Sequence, residues 1–168
     1  MATNGIDKPV LNLFRMDGLM RGDRVAVESS AGVSVDAMIQ SGVRQEPDID
    51  AIAAKSGNGM SVLLWNYHDD DVPAVDAPVR VTVTGLPASA RRVLFKHYRI
   101  DRDHSNAYTV WKQMGSPQKP TPEQYAGLES AGQLQLLESP RWLGSGSGQI
   151  EISFALPRQA VSLVQVSW

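Results

Sequence analysis

Two carboxyl groups held about 5 Å apart in a cleft can serve hydrolysis as a nucleophile and an acid/base. Asp101 and Asp103, with one residue between them, are the acidic pair that most invites this reading. Helix capping and loop solvation explain the same two residues without chemistry, and that is the expected role. Asp69-Asp70-Asp71 offers charge for a cation, but it lacks the alternating ligands of a calcium loop and is expected to be a solvated turn. His97 and His104 lie near each other, with His68 elsewhere. Zinc needs three or four ligands at fixed spacing, so these histidines are expected to make hydrogen bonds and no metal site is assigned. Ser29-Ser30 and Gly146-Ser147-Gly148 lack the strand-to-helix setting of a nucleophile elbow. No catalytic residue and no cofactor is assigned.

The aromatic residues are more suggestive. Tyr98, Tyr108, Trp111 and Tyr125 cluster within thirty residues or so of sequence. Apolar C–H faces of a sugar ring can stack on such side chains. Arg99, His104 and Asn106 add groups that hydrogen-bond to hydroxyls. The candidate sugar-proximal set is therefore Tyr98, Arg99, His104, Asn106, Tyr108 and Trp111. Packing competes with this reading and is favoured. Positions 104, 108 and 111 would share one helical face, where Tyr108 and Trp111 would fix two helices against a sheet.

The elements that must position these residues are mostly strands. Asp7 to Gly22 is expected to be a helix, with Pro9 in its first turn and a wide apolar surface. From Arg24 the apolar period becomes two. Asp36 to Asp50 reads as a loop or short edge element, and Ile52 to Lys55 as a strand. Asn58-Gly59 signals a hairpin before the buried strand Met60 to His68. Val79 to Thr84, Arg92 to Tyr98, Gln149 to Phe154 and Val161 to Val166 are further strands, with Gly144 to Gly148 a flexible turn. Short strands separated by turn signals predict an antiparallel β-sandwich. Its regularity is broken from about 101 to 137. There Asp103 or Ser105 can cap a helix through Tyr108, Trp111 and Met114, and Thr121-Pro122 starts a second helix ending at Gly132. The fold class is thus mainly β, with an N-terminal helix and a two-helix insertion. The expected units are 1-22 and 23-168.

At 168 residues the chain suits one domain with a real core. A net charge of -2 gives no electrostatic case for nucleic acid or an anionic membrane, and neither partner is expected. No apolar run reaches the roughly 20 residues of a membrane span. Met1 to Lys8 lacks the apolar core of a signal peptide. A soluble bacterial protein is expected, with its compartment (cytoplasmic, periplasmic or secreted) left open. Without cysteine there is no disulfide framework.

His97-Tyr98-Arg99-Ile100-Asp101, His104-Ser105-Asn106-Ala107-Tyr108, Trp111, Met114-Gly115-Ser116-Pro117-Gln118 and Thr121-Pro122-Glu123-Gln124-Tyr125, in that order, resemble the C-terminal region of glycoside hydrolase family 39, the β-xylosidases. Leu11 to Met20, with Phe14-Arg15-Met16, is similar to the last barrel helix of that family, and Val25 to Ser30 to the strand that leaves the barrel. The resemblance implies a (β/α)₈ barrel with an attached β-sandwich, and retaining hydrolysis of β-xylosides by two glutamates on barrel strands. The acid/base glutamate of that family follows an asparagine. None of Glu28, Glu46, Glu123, Glu129, Glu138 and Glu151 does so here, and no catalytic role is carried over.

Three functions are therefore expected in turn. The first is an accessory β-sandwich of a β-xylosidase, inactive alone, partnered by the catalytic barrel, with 1-22 a remnant of its last helix. The second is an independent module binding xylo-oligosaccharide. The third is a structural domain that self-associates through an apolar helix.

Overall fold

The computed structural model describes residues 2–168. Met1, the first residue of the 1-22 unit and of the stretch read for a signal peptide, lies outside the described residues.

The chain opens with a small hairpin, β1 (Ala2–Thr3) and β2 (Ile6–Asp7), followed by helix α1 (Pro9–Leu19). Strand β3 (Asp23–Val25) and helix α2 (Val35–Ser41) lead into the long hairpin β4 (Asp48–Ser56) and β5 (Gly59–Tyr67). Then come β6 (Ala77–Val83) and β7 (Arg92–Ile100). The insertion holds α3 (Ala107–Gln113) and α4 (Pro122–Ala131), and β8 (Gln135–Leu136) and β9 (Arg141–Gly144) return the chain to the sheet. Strands β10 (Ile150–Leu156) and β11 (Val161–Ser167) complete it.

The layers are unequal. Seven strands form the main sheet in the order β3-β4-β5-β11-β7-β8, with β9 also pairing β7. Only β6 and β10 form the facing layer. Every pairing among these strands is antiparallel, so the antiparallel sandwich stands.

Side-chain alternation explains why both faces of the main sheet are dry. Val62, Leu64, Phe95, Val164 and Val166 point to the core shared with Val83, Ile150, Ile152 and Leu156 of the thin layer. Leu63 and Leu163, one residue out of phase, meet Met16 on the opposite face. Helix α1 thus covers the back of the sheet with Met16, Leu13 and Leu19. A strand buried on both faces must be apolar at consecutive positions. That is why Val62-Leu63-Leu64 is unbroken.

Several expectations are corrected. The turn of the long hairpin is Gly57-Asn58, because Ser56 pairs with Gly59; Gly59 already belongs to β5. Asp36 to Asp50 contains α2, capped by Ser34, whose hydroxyl accepts from the Ala37 N–H. β4 begins at Asp48, and Gly144, expected to open a turn, ends the unanticipated strand Arg141–Gly144. The cap of α3 is Asn106, not Asp103 or Ser105. Thr121 and Gln124 form a reciprocal capping box on α4, as the Thr-Pro-Glu-Gln pattern suggests. No described helix is long and apolar enough to cross a membrane.

Candidate functional site

The structure divides the candidate residues into two places. Arg99, His104 and Asn106 belong to a buried polar network at the base of the insertion. Tyr108 and Trp111 line a groove beside it, and Tyr125 joins them there. Tyr98 does neither, packing half-buried against the core beneath α1.

The network is centred on Arg99, 2% exposed near the end of β7. Its Nε donates to Ser162 Oγ at 2.8 Å, Nη1 to Asp101 Oδ2 at 3.4 Å and Nη2 to the Ala155 carbonyl at 3.0 Å. The guanidinium also lies 5.7 Å from the Phe154 ring centroid. Burial draws its pKa down, against the pull of the Asp101 carboxylate. Asp101 is shaped by opposed causes. Burial pushes its carboxyl up, but the His104 side chain and the N–H groups of Asp103 and His104 outweigh that and hold it below the usual carboxylate range. Oδ1 accepts from those two N–H groups at 2.7 and 2.8 Å. Asp101 is therefore a turn-former rather than half of an acid pair.

His97 sits beside it, fully buried, with Nε2 2.9 Å from Ser162 Oγ. The Ser162 hydroxyl already accepts from Arg99, so its own hydrogen is free for His97 Nε2. The proton of a neutral ring then sits on Nδ1, which has no hydrogen-bond partner and lies 4.0 Å from Glu138 Oε1. Burial first, then the charges of Arg99 and Arg141, lower the His97 pKa to about 4. The ring is thus neutral at ordinary pH and packs against Phe154 with centroids 4.5 Å apart.

Sequence reasoning passed over Asn12 and read Ser105 only as a helix cap, yet these two groups tie the insertion down. Ser105 is fully buried with φ of 53°, a conformation costly for a residue with a Cβ. Its hydroxyl donates to the Arg99 carbonyl at 2.7 Å and accepts from the Gln135 N–H at 2.8 Å. Its carbonyl accepts from Asn12 Nδ2, which also donates to the Gly132 carbonyl. Arg15 bridges Asn12 Oδ1 and Asp7 at 2.8 and 2.7 Å. A lone asparagine on an apolar helix face was the available signal. Asn12→Ala removes both of its amide bonds and strands two buried carbonyls, so unfolding in urea should show a loss of about 2 kcal/mol. An unchanged midpoint would show that water replaces the amide.

Asn106 Nδ2 donates to the Asp101 carbonyl, and its Oδ1 caps α3 through the Tyr108 N–H. His104 precedes α3, so the expected shared helical face of 104, 108 and 111 is incorrect. Tyr108 and Trp111 do not pin the helices to the sheet either. Their rings lie 5.8 Å apart, and Tyr108 is 59% exposed. With Tyr125 they line a groove of about 380 Å³ between the N-terminal hairpin and the insertion. Trp111 Nε1 donates to the Pro117 carbonyl, and the Tyr125 hydroxyl to the Asn4 carbonyl.

Elsewhere, Asp69 accepts from the Val43 N–H and from Tyr67, and Asp70 pairs with Arg158. The triplet is a braced loop. No group of three His, Asp or Glu side chains is placed to hold a metal among the described residues.

The chain is thus a mainly antiparallel β-sandwich that carries a helical insertion on a buried Arg–Asp–His network. Residues 1–146 match the family model for glycosyl hydrolases family 39, and the chain belongs to that family. It is 25% identical over 115 residues to a β-xylosidase of Geobacillus stearothermophilus, covering 68% of this chain and 22% of that protein. It is 27% identical over 164 residues to the α-L-iduronidase of Mus musculus, covering 95% and 25%. The chain therefore spans about a quarter of the length of these curated relatives. The solved structure of a monomeric β-xylosidase from Caulobacter crescentus CB15 superposes with a TM-score of 0.78 at 19% identity, over 99% of this chain and 32% of that one.

Proposed function

We propose that this chain is the accessory β-sandwich of a family 39 β-xylosidase that serves xylan and xylo-oligosaccharide breakdown, and that it does not hydrolyse glycosides alone. Its partner is a (β/α)₈ barrel, to which residues 1-22 contribute the last helix, while residues 23-168 form the accessory domain. The carrying observation is the family match over 1–146 on a chain whose described residues build antiparallel sheets. The fate of the carboxylates supports it. Asp101 is bound by backbone N–H groups, Asp48 by the Trp65 indole and the Val33 N–H, Asp7 by Arg15 and Glu138 by Arg141. Helix α1 supports the barrel partner. Its inward face is buried, yet Val10 and Phe14 are 46% and 51% exposed on the outside, an apolar surface that suits a second layer.

The purified chain should release no product from an aryl β-xyloside above the buffer rate. Turnover that a single substitution within the chain abolishes would refute the proposal. Exposed Val10 and Phe14 also favour a second reading, self-association through α1. Light scattering across a concentration series decides it, and Phe14→Glu should dissolve any dimer that forms there.

A further inference from the structure

We propose that the groove between the N-terminal hairpin and the insertion binds a neutral pyranose ring, stacked on Tyr108 and Trp111. The choice of a xylose unit rests on the family reading above. The choice of an uncharged polyhydroxyl ring rests on the groove itself.

The indole N–H of Trp111 is already committed to Pro117, and the hydroxyl of Tyr125 to Asn4. A ligand entering here meets apolar ring surface, which is what the C–H face of a pyranose needs. Tyr108, the ring most open to solvent, stands at the mouth. Buried Ala107 and Leu128 line the interior, so a stacked ring also loses water from its other apolar atoms.

The groove carries little fixed charge, so a ligand here is held mainly by contact and hydrogen bonds. Asp7 borders the groove, but Arg15 neutralises it at 2.7 Å. Lys8 is the only other charged residue in the lining among the described residues. Asn4 and Gln118, both lining residues, carry amides that can donate to and accept from hydroxyls. A volume of about 380 Å³ falls in the range of small-molecule sites, roughly 300–1,000 Å³. The groove differs from the site suggested by sequence. Arg99, His104 and Asn106 are spent on the network, while Tyr125, Asn4 and Gln118 replace them.

The test is a titration of the ¹⁵N-labelled chain with xylotriose, read by amide and indole N–H shifts. Saturable shifts are expected at the Trp111 indole and along 107–111 and 125, at millimolar sugar. The Trp142 indole, exposed on β9, should stay still. Tyr108→Ala should weaken binding about tenfold, the scale of one lost stacking contact. Its unfolding midpoint should not move, because the side chain is exposed. Trp111→Phe, which keeps an apolar ring, gives a second reading with a smaller loss. No shift at high millimolar sugar would overturn the proposal. So would shifts centred on Trp142, unchanged affinity in Tyr108→Ala, or a response to a proline-rich peptide and not to sugar. The two proposals fail separately: a chain that binds no xylotriose but is inert on aryl β-xyloside loses only the groove, and a chain that turns the substrate over loses only the accessory role.

Discussion

Arg99→Ala should lower the free energy of unfolding by roughly 3–5 kcal/mol, the usual cost of removing one partner of a buried ion pair. The guanidinium is 2% exposed and Asp101 9% exposed. Taking away the cation leaves Asp101 with backbone N–H groups and His104, but without its charged neighbour. Ser162 Oγ and the Ala155 carbonyl lose their donors at the same stroke. These two groups lie on β11 and at the end of β10, so the break reaches across both layers. Arg99→Lys should recover only part of the loss. A lysine keeps the charge but has no planar fork to reach three acceptors at once. The double change Arg99→Met, Asp101→Asn should cost less than the sum of its singles, because the stranded charge is gone. Urea unfolding followed by tryptophan fluorescence measures all five variants. A loss below about 1 kcal/mol for Arg99→Ala would mean that water reaches Asp101 and that the network is not dry.

The same network marks where sequence reasoning ended. Alternation of period two places β5, β6, β7, β10 and β11 because each has one apolar face, or two, in a fixed register. Capping chemistry is equally local, so Thr121-Pro122 locates α4 to the residue. What depends on tertiary partners was not legible. Helix α2 is seven residues long and buries none of them, so Val35, Met38 and Ile39, though at helical spacing, make too short a run to set it apart from a loop. β9 is only four residues long and pairs solely with β7, leaving a weak alternation. Arg99 and Asn106 look free to bind a hydroxyl in sequence. The bond of Arg99 to Ser162, 63 positions away, exists only once the sheet has closed, and that of Asn106 to the Asp101 carbonyl only once the turn after β7 has formed. The aromatic cluster was read as a group, yet Tyr98 and Tyr108 end up apart because β7 and α3 face different ways. The N-terminal hairpin was invisible for a simpler reason. Two-residue strands carry no periodicity, and Gly5, at φ of 81°, is packed against the Tyr125 hydroxyl.

His97 makes the fold sensitive to mild acid. Its pKa falls from 6.5 to about 4 on folding. Between those values the unfolded chain takes up a proton that the native ring refuses. Unfolding is therefore favoured as pH drops from about 6.5 to about 4, at roughly 1.4 kcal/mol per pH unit, for a total near 3 kcal/mol. Below about 4 the native ring also protonates and this contribution levels off. Asp101 acts later. Its folded pKa lies below the usual 3.8, so its stabilisation persists above that value and is lost only as pH falls through the folded one. The two contributions separate on the pH axis, His97 first. Protonating Nε2 would also turn the Ser162 hydroxyl away from the ring that it now donates to. Glu138 opposes this, since its carboxylate lies 4.0 Å from Nδ1 and would welcome a cation. It is 40% exposed, however, and solvent screens it, while the charges of Arg99 and Arg141 disfavour the cation. His97→Gln keeps an acceptor for Ser162 and removes the titration. The difference in unfolding free energy between the native chain and this variant should slope with pH from 7 to 4.5, cancelling whatever the other groups contribute. A slope of the opposite sign would show that Glu138 dominates and that the ring is charged in the folded protein.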